Sequence, residues 1–134
     1  MKRKLFLTLM MLLLTGAMTL QAQTARKFTL DLTDDGKAQM VAFLPEKPSG
    51  RAIVGVPGGG YSMLSNTHEG TQWSEWLNAR GIAYFVVNYR LPNGDRTIPI
   101  GDVEKGFRIV RDSAAVWGIQ PRDVGIMGFS AGGR

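Results

Sequence analysis

The chain has 134 residues, 44% of them apolar and 20% charged, with 17 glycines and three tryptophans. That is the composition of an ordinary globular protein with a packed core, and it excludes disorder, collagen and coiled coil. The formal charge is +5, but Lys2, Arg3 and Lys4 belong to an amino-terminal leader. The rest balances 13 basic against 11 acidic residues, too small a surplus for a nucleic-acid partner.

Without a cysteine there is no disulfide, thiolate nucleophile, thiolate metal site or lipoprotein-type anchor, and His68 is the only histidine. These counts argue against a metal centre, and no cofactor is expected. Residues 1–22 have the three-part layout of a signal peptide: a basic start, an apolar stretch from Leu5 to about Ala17, and a polar end at Leu20-Gln21-Ala22. The apolar stretch is shorter than the roughly 20 residues that a membrane-spanning helix needs. Cleavage after Ala22 is expected, with Ala25 as the second choice. That leaves residues 23–134 as one small domain, periplasmic or secreted, with no stable membrane anchor.

Phe28, Leu30 and Leu32 alternate with polar neighbours, Asp34-Asp35-Gly36 signals a turn, and Met40, Ala42 and Leu44 alternate again before Pro45. This predicts an antiparallel hairpin. Ala52 to Val56 is a continuous apolar run, the pattern of a strand buried on both faces, and it ends in Pro57 and three glycines. Asn66 with Glu69 three residues on predicts a capped helix, with Trp73, Trp76 and Leu77 on one face and Gly81 at its end. Ile82 to Val87 predicts another buried strand. A loop from Asn88 to Thr97 holds Tyr89-Arg90-Leu91-Pro92 and the turn Asn93-Gly94.

A second helix is expected to begin near Pro99 to Asp102, with Val103, Phe107, Val110, Ala114 and Trp117 inward. Glu104, Arg108 and Asp112 stand on its wet side. Val124 to Met127 is the last predicted strand. The order β-β-β-α-β-α-β defines an α/β sheet with right-handed crossovers. Asp102 and Asp112, ten residues apart on one helix, are about 15 Å apart along its axis and read as solvated. The helical spacing of Trp73, Trp76 and Trp117 favours core packing over sugar platforms.

Two motifs carry chemistry. Gly128-Phe129-Ser130-Ala131-Gly132 fits G-x-S-x-G at a strand end. There the serine sits on a sharp turn whose neighbours have no room for side chains. Pro57-Gly58-Gly59-Gly60-Tyr61 follows the first buried strand, and consecutive glycines let backbone N–H groups approach a ligand oxygen beside the N–H of Ala131. The cluster lacks the Lys-Ser or Lys-Thr of a P-loop, and Met63 breaks the dinucleotide pattern. Tyr61 and Ser62, just beyond the glycines, are candidates to line a substrate pocket.

From Arg51 to Gly133 these motifs resemble the N-terminal half of an α/β-hydrolase fold, with a mostly parallel sheet led by an antiparallel hairpin. Within that fold they resemble secreted carboxylesterases of the hormone-sensitive-lipase and acetylxylan-esterase type. The resemblance implies Ser130 as nucleophile and Gly59, Gly60 and Ala131 as oxyanion donors. Pro57 stands where many relatives have histidine. The implied substrate is a small-molecule or polysaccharide ester with a short acyl group, such as acetyl on xylan. The implied acid and histidine follow the elbow in chain order, whereas four residues follow Ser130 here, so the chain is expected to be an inactive fragment when alone. Its last strand is expected to expose an unpaired edge. His68, which precedes the serine, has the wrong order for the base. Two alternatives are a prolyl-oligopeptidase-type peptidase, which shares G-x-S-x-G-G, and a non-catalytic carbohydrate-binding fragment.

Overall fold

The computed structural model describes residues 25–134; the leader expected at residues 1–22 lies outside the described residues. Five strands form one sheet: β1 Arg26–Asp31, β2 Gln39–Leu44, β3 Ala52–Val56, β4 Ala83–Asn88 and β5 Val124–Gly128. Helix α1 spans Ser74–Asn78 and α2 spans Thr97–Asp112, with short 3-10 turns at Thr71–Trp73 and Ser130–Gly133.

The strand order is β1-β2-β4-β3-β5. The predicted hairpin forms with Leu30 opposite Met40, and β2 pairs antiparallel with β4. β3 lies parallel to both β4 and β5, with Val54 opposite Phe85 on one side and Ile126 on the other. The sheet is therefore evenly mixed rather than mostly parallel, because the hairpin docks antiparallel onto β4 instead of standing apart from the crossover strands. The carboxyl ends of β3, β4 and β5 share one edge. Chain order β3, β4, β5 becomes spatial order β4-β3-β5, so the direction of winding reverses at β3. The crevice beyond such a reversal is where open α/β sheets bind ligands.

Each face of the sheet carries its own core. On one face Leu32, Met40, Ala42, Val54, Val56, Phe85 and Val87 pack with Val110, Ala114 and Trp117. On the other, Leu77 of α1 packs with Tyr84 and Val86, against Phe43, Ile53 and Trp73. The continuous apolar runs of β3 and β4 follow from this double cover. Gly106 lets α2 approach closely, since a β-carbon there would stand 3.1 Å from Val87 Cγ2 and 3.3 Å from Met40 Sδ.

Several expectations from sequence are corrected. The helix predicted from Asn66 is reduced to α1, and residues 61–70 hold neither helix nor strand. Glu69 does not complete a capping box, since its carboxylate points to Gly58. Trp76 is 53% exposed, with the Arg80 guanidinium 3.8 Å over its ring; Trp117 is buried and Trp73 half-buried. Helix α2 starts two residues before Pro99. Asp95 Oδ1 accepts the N–H and hydroxyl of Thr97, which offsets the unpaired donors of a helix start. It ends at Asp112, and Ala114 and Trp117 reach the core from the turns that follow.

Asp102 is not solvated. It is 3% exposed and its carboxylate holds Arg90 through the backbone N–H (2.9 Å), Nε (3.0 Å) and Nη2 (2.8 Å). Hydrogen bonding to Asp102 raises the Arg90 pKa above its already high ordinary value. β5 pairs with β3, and among the described residues no strand covers its other side; Ile126 is 60% exposed.

Candidate active site

The residues singled out in the sequence meet at the carboxyl edge of β3 and β5. Beyond Gly128 the chain passes through Phe129 in extended conformation and then turns sharply at Ser130, whose φ is +49°. A non-glycine residue in this region costs about 1–3 kcal/mol and persists only where its surroundings hold it. Here they do: Phe129 N–H donates to Val56 C=O at 3.0 Å and Gly132 N–H to Phe129 C=O at 2.7 Å.

The flanking glycines are required by close backbone approach. A β-carbon on Gly128 would lie 2.5 Å from Gly132 C=O, and one on Gly132 would overlap Val56 C=O and lie 2.5 Å from Pro57 C=O. The elbow is thus pressed onto the end of β3. Ser130 itself is exposed, and its hydroxyl has no hydrogen-bond partner among the described residues.

The glycine loop lies against this turn. A β-carbon on Gly58 would stand 2.9 Å from Ser130 Cβ and 2.6 Å from Phe129 C=O. Gly59 and Gly60 have φ of +139° and +64°, open to glycine at little cost, and a side chain on Gly59 would strike Met63 C=O. Their N–H groups have no acceptor among the described residues. Ala131 is the second residue of the 3-10 turn that Ser130 opens, where N–H groups lack an intrahelical acceptor.

A buried bond helps set the loop's position. Tyr89 Oη donates to Pro57 C=O at 2.6 Å, and burial pushes the Tyr89 pKa up, helped by the nearby Tyr61 and Glu69. Arg90, next in sequence, is strapped to Asp102 of α2. Tyr89-Arg90 therefore links the glycine loop to the helix on one face of the sheet.

A cleft of about 240 Å³ lies beside Ala131 and Gly132, walled by Val56, Tyr61, Tyr89 and Ile100 among others. Tyr61 is one of its walls. Ser62 is not: its N–H and hydroxyl both turn back to Gly59 C=O at 3.3 Å. Ser130 stands outside the cleft walls. His68 is exposed, and its Nδ1 lies 3.2 Å from Gln72 Oε1 rather than on the serine. Among the described residues no group of acidic residues and histidine is arranged to hold a metal ion, and no helix is long and apolar enough to cross a membrane.

Sequence reasoning missed Glu69, which accepts Gly58 N–H at 2.9 Å, and the stacking of Trp73 on Phe129 at 5.9 Å between ring centroids. From sequence alone Tyr89 and Arg90 carry no assigned role. The one available signal was Asn66-x-x-Glu69, whose spacing read as a helix cap.

A left-handed serine on a strand-to-helix turn, glycines at the crossing points and a glycine loop beside it at a winding reversal define an α/β-hydrolase-type domain. Solved structures agree. An α/β-hydrolase enzyme from a Medee basin deep-sea metagenome library superposes with a TM-score of 0.73 at 22% identity over 83% of this chain and 49% of its own. An acetyl ester-xyloside bifunctional hydrolase from Caldicellulosiruptor lactoaceticus gives 0.67 at 28% identity over 86% and 46%. The chain belongs to the BD-FAE family, whose model matches residues 41–134. It is 80% identical over 133 residues to an acetylxylan esterase of Xylanibacter ruminicola, a match covering 99% of this chain and 27% of that protein. The chain thus spans about a quarter of that relative's length and about half of the solved structures it matches.

Proposed function

We propose that this chain carries the nucleophile and oxyanion half of a secreted serine carboxylesterase that removes acetyl groups from plant polysaccharide such as xylan. The observation that carries the reading is the strained Ser130 turn set against the Gly58–Gly60 loop. The similarity to an acetylxylan esterase supports the substrate class. Ser130 Oγ attacks the acyl carbon and the carbonyl oxygen becomes an oxyanion, which accepts the N–H groups of Gly59, Gly60 and Ala131. Collapse of this intermediate expels the sugar alkoxide, which takes a proton, and leaves an acetyl-serine; water then releases acetate and regenerates the hydroxyl.

The proton of Ser130 needs a base, and His68 is held at Gln72. On this reading the base and its acid, which follow the serine in chain order, are supplied from outside the described residues, and residues 25–134 alone have no turnover. Residues 1–22 serve as the export signal, placing the enzyme in the periplasm or outside the cell, where cell-wall polysaccharide is met.

The test is a chimera in which residues 26–134 replace the matching segment of the Xylanibacter ruminicola acetylxylan esterase. Acetate release from acetylated xylan and hydrolysis of p-nitrophenyl acetate are expected from the chimera. Ser130→Ala is expected to lower kcat by at least about 10³-fold. A folded chimera without hydrolysis, or S130A with parental activity, would overturn the assignment.

A further inference from the structure

One segment occupies both hydrogen-bonding groups of Gly58. The Gly58 N–H donates to Glu69 Oε2 at 2.9 Å, and its carbonyl accepts Ser65 N–H at 2.9 Å. Ser65 and Glu69 are themselves joined, Glu69 N–H donating to Ser65 C=O at 3.0 Å. A β-carbon on Gly58 would stand 2.5 Å from Glu69 Oε2 and 2.9 Å from Ser130 Cβ, so carboxylate, glycine and serine converge on a space too small for a methyl group. Four residues beyond Glu69, Trp73 stacks on Phe129 at the base of the elbow.

We propose that Glu69 is a positioning residue of the acyl site. By accepting the Gly58 N–H it withdraws that donor from the oxyanion and fixes the loop so that the N–H groups of Gly59 and Gly60 face Ser130. This inference rests on the reading of Ser130 as nucleophile. Three consecutive glycines have the widest backbone freedom of any tripeptide, so an oxyanion hole built on them needs an external constraint. A charge-assisted N–H···O⁻ bond is roughly twice as strong as a neutral one and supplies that constraint.

The carboxylate's negative charge opposes a nearby oxyanion, so its value to catalysis lies in the hydrogen bond it accepts. A neutral acceptor of the same length is then an adequate substitute. That separates aiming from any role as acid, base or charge.

The experiment is steady-state hydrolysis of p-nitrophenyl acetate by the chimera, with Glu69→Ala, Glu69→Gln and Glu69→Asp, each checked by its melting temperature. E69A is expected to lower kcat about 10- to 100-fold with KM within about threefold, less than the loss of a whole oxyanion donor. E69Q is expected within about threefold of the parent, and E69D, one methylene short, close to E69A. Folded E69A with parental kcat overturns the inference, as does E69Q as impaired as E69A. Should E69A fail to fold, E69Q and E69D carry the same comparison. A parental chimera that hydrolyses nothing overturns the esterase reading and this inference with it, whereas an active parent indifferent to Glu69 overturns the inference alone.

Discussion

Alanine at Gly132 probes how closely the elbow is fitted to β3. Its β-carbon would overlap Val56 C=O and stand 2.5 Å from Pro57 C=O and 2.9 Å from the Pro57 carbonyl carbon. All are backbone atoms, and Val56 ends a strand paired on both sides, so none can swing away as a side-chain tip would. Ordinary contact starts near 3.4 Å, so the turn must retreat by roughly 1 Å. Overpacking of this kind costs about 1–3 kcal/mol of stability. The retreat carries Ser130 away from the glycine loop, and a misplacement of about 1 Å can cost roughly 10²-fold in rate, or about 2.7 kcal/mol of transition-state stabilisation.

The assay is kcat/KM on p-nitrophenyl acetate together with a thermal melt of the Gly132→Ala chimera. Gly101→Ala is the control: it is exposed in α2 with nothing within 4 Å of its β-carbon, and should gain about 0.5–1 kcal/mol from helix propensity with unchanged kcat/KM. G132A with parental kcat/KM and melting temperature would refute the close fit of the elbow on β3.

Two predictions concern the supports of the site. Asp102→Ala leaves the Arg90 guanidinium and backbone N–H without their acceptor. Because the Arg90 side chain is 39% exposed, the expected loss is about 3 kcal/mol, the low end for breaking a buried pair. Chemical denaturation measures it, and a loss below about 1 kcal/mol would count against the strap. Tyr84 is fully buried, its hydroxyl donates to Gly70 C=O at 3.0 Å, and burial pushes its pKa up to about 12. The folded state keeps the proton that the unfolded chain loses near pH 10. Stability is therefore complete below pH 10 and declines as pH rises from about 10 to 12. Tyr84→Phe is expected to cost about 1–2 kcal/mol at neutral pH and to make that alkaline decline shallower, with Tyr89, whose pKa burial also raises, keeping its own share. Denaturant midpoints measured against pH check both, and an unaltered pH profile would refute the linkage.

The five strands were legible because each is a local pattern. Alternation gave β1 and β2, and continuous apolar runs gave β3 and β4. The elbow and the glycine loop were legible for a related reason: a left-handed serine and backbone crossings admit a narrow choice of residues, and those residues are adjacent in sequence. The Asn93-Gly94 turn belongs with them, with φ of +46° and +90°.

What lay beyond the sequence is what depends on partners distant along the chain. Asp102 reads as solvated because it is charged, yet it lies one and two turns from Gly106 and Val110 on the buried stripe of α2, and Arg90 arrives from the end of β4 to pair with it there. Trp76 stands at helical spacing from Trp73, yet it adjoins Leu77 on a five-residue helix, and with Leu77 turned to the core the Trp76 ring points about 100° away, toward solvent. Glu69 reads as a helix cap, and the fold instead hands its carboxylate to Gly58, eleven residues earlier. Local propensity writes strands, turns and the strained serine into the sequence. The positions of Glu69, Tyr89 and Asp102 are decided by the tertiary structure, because a hydrogen bond between remote residues forms only once the sheet has brought their backbones together.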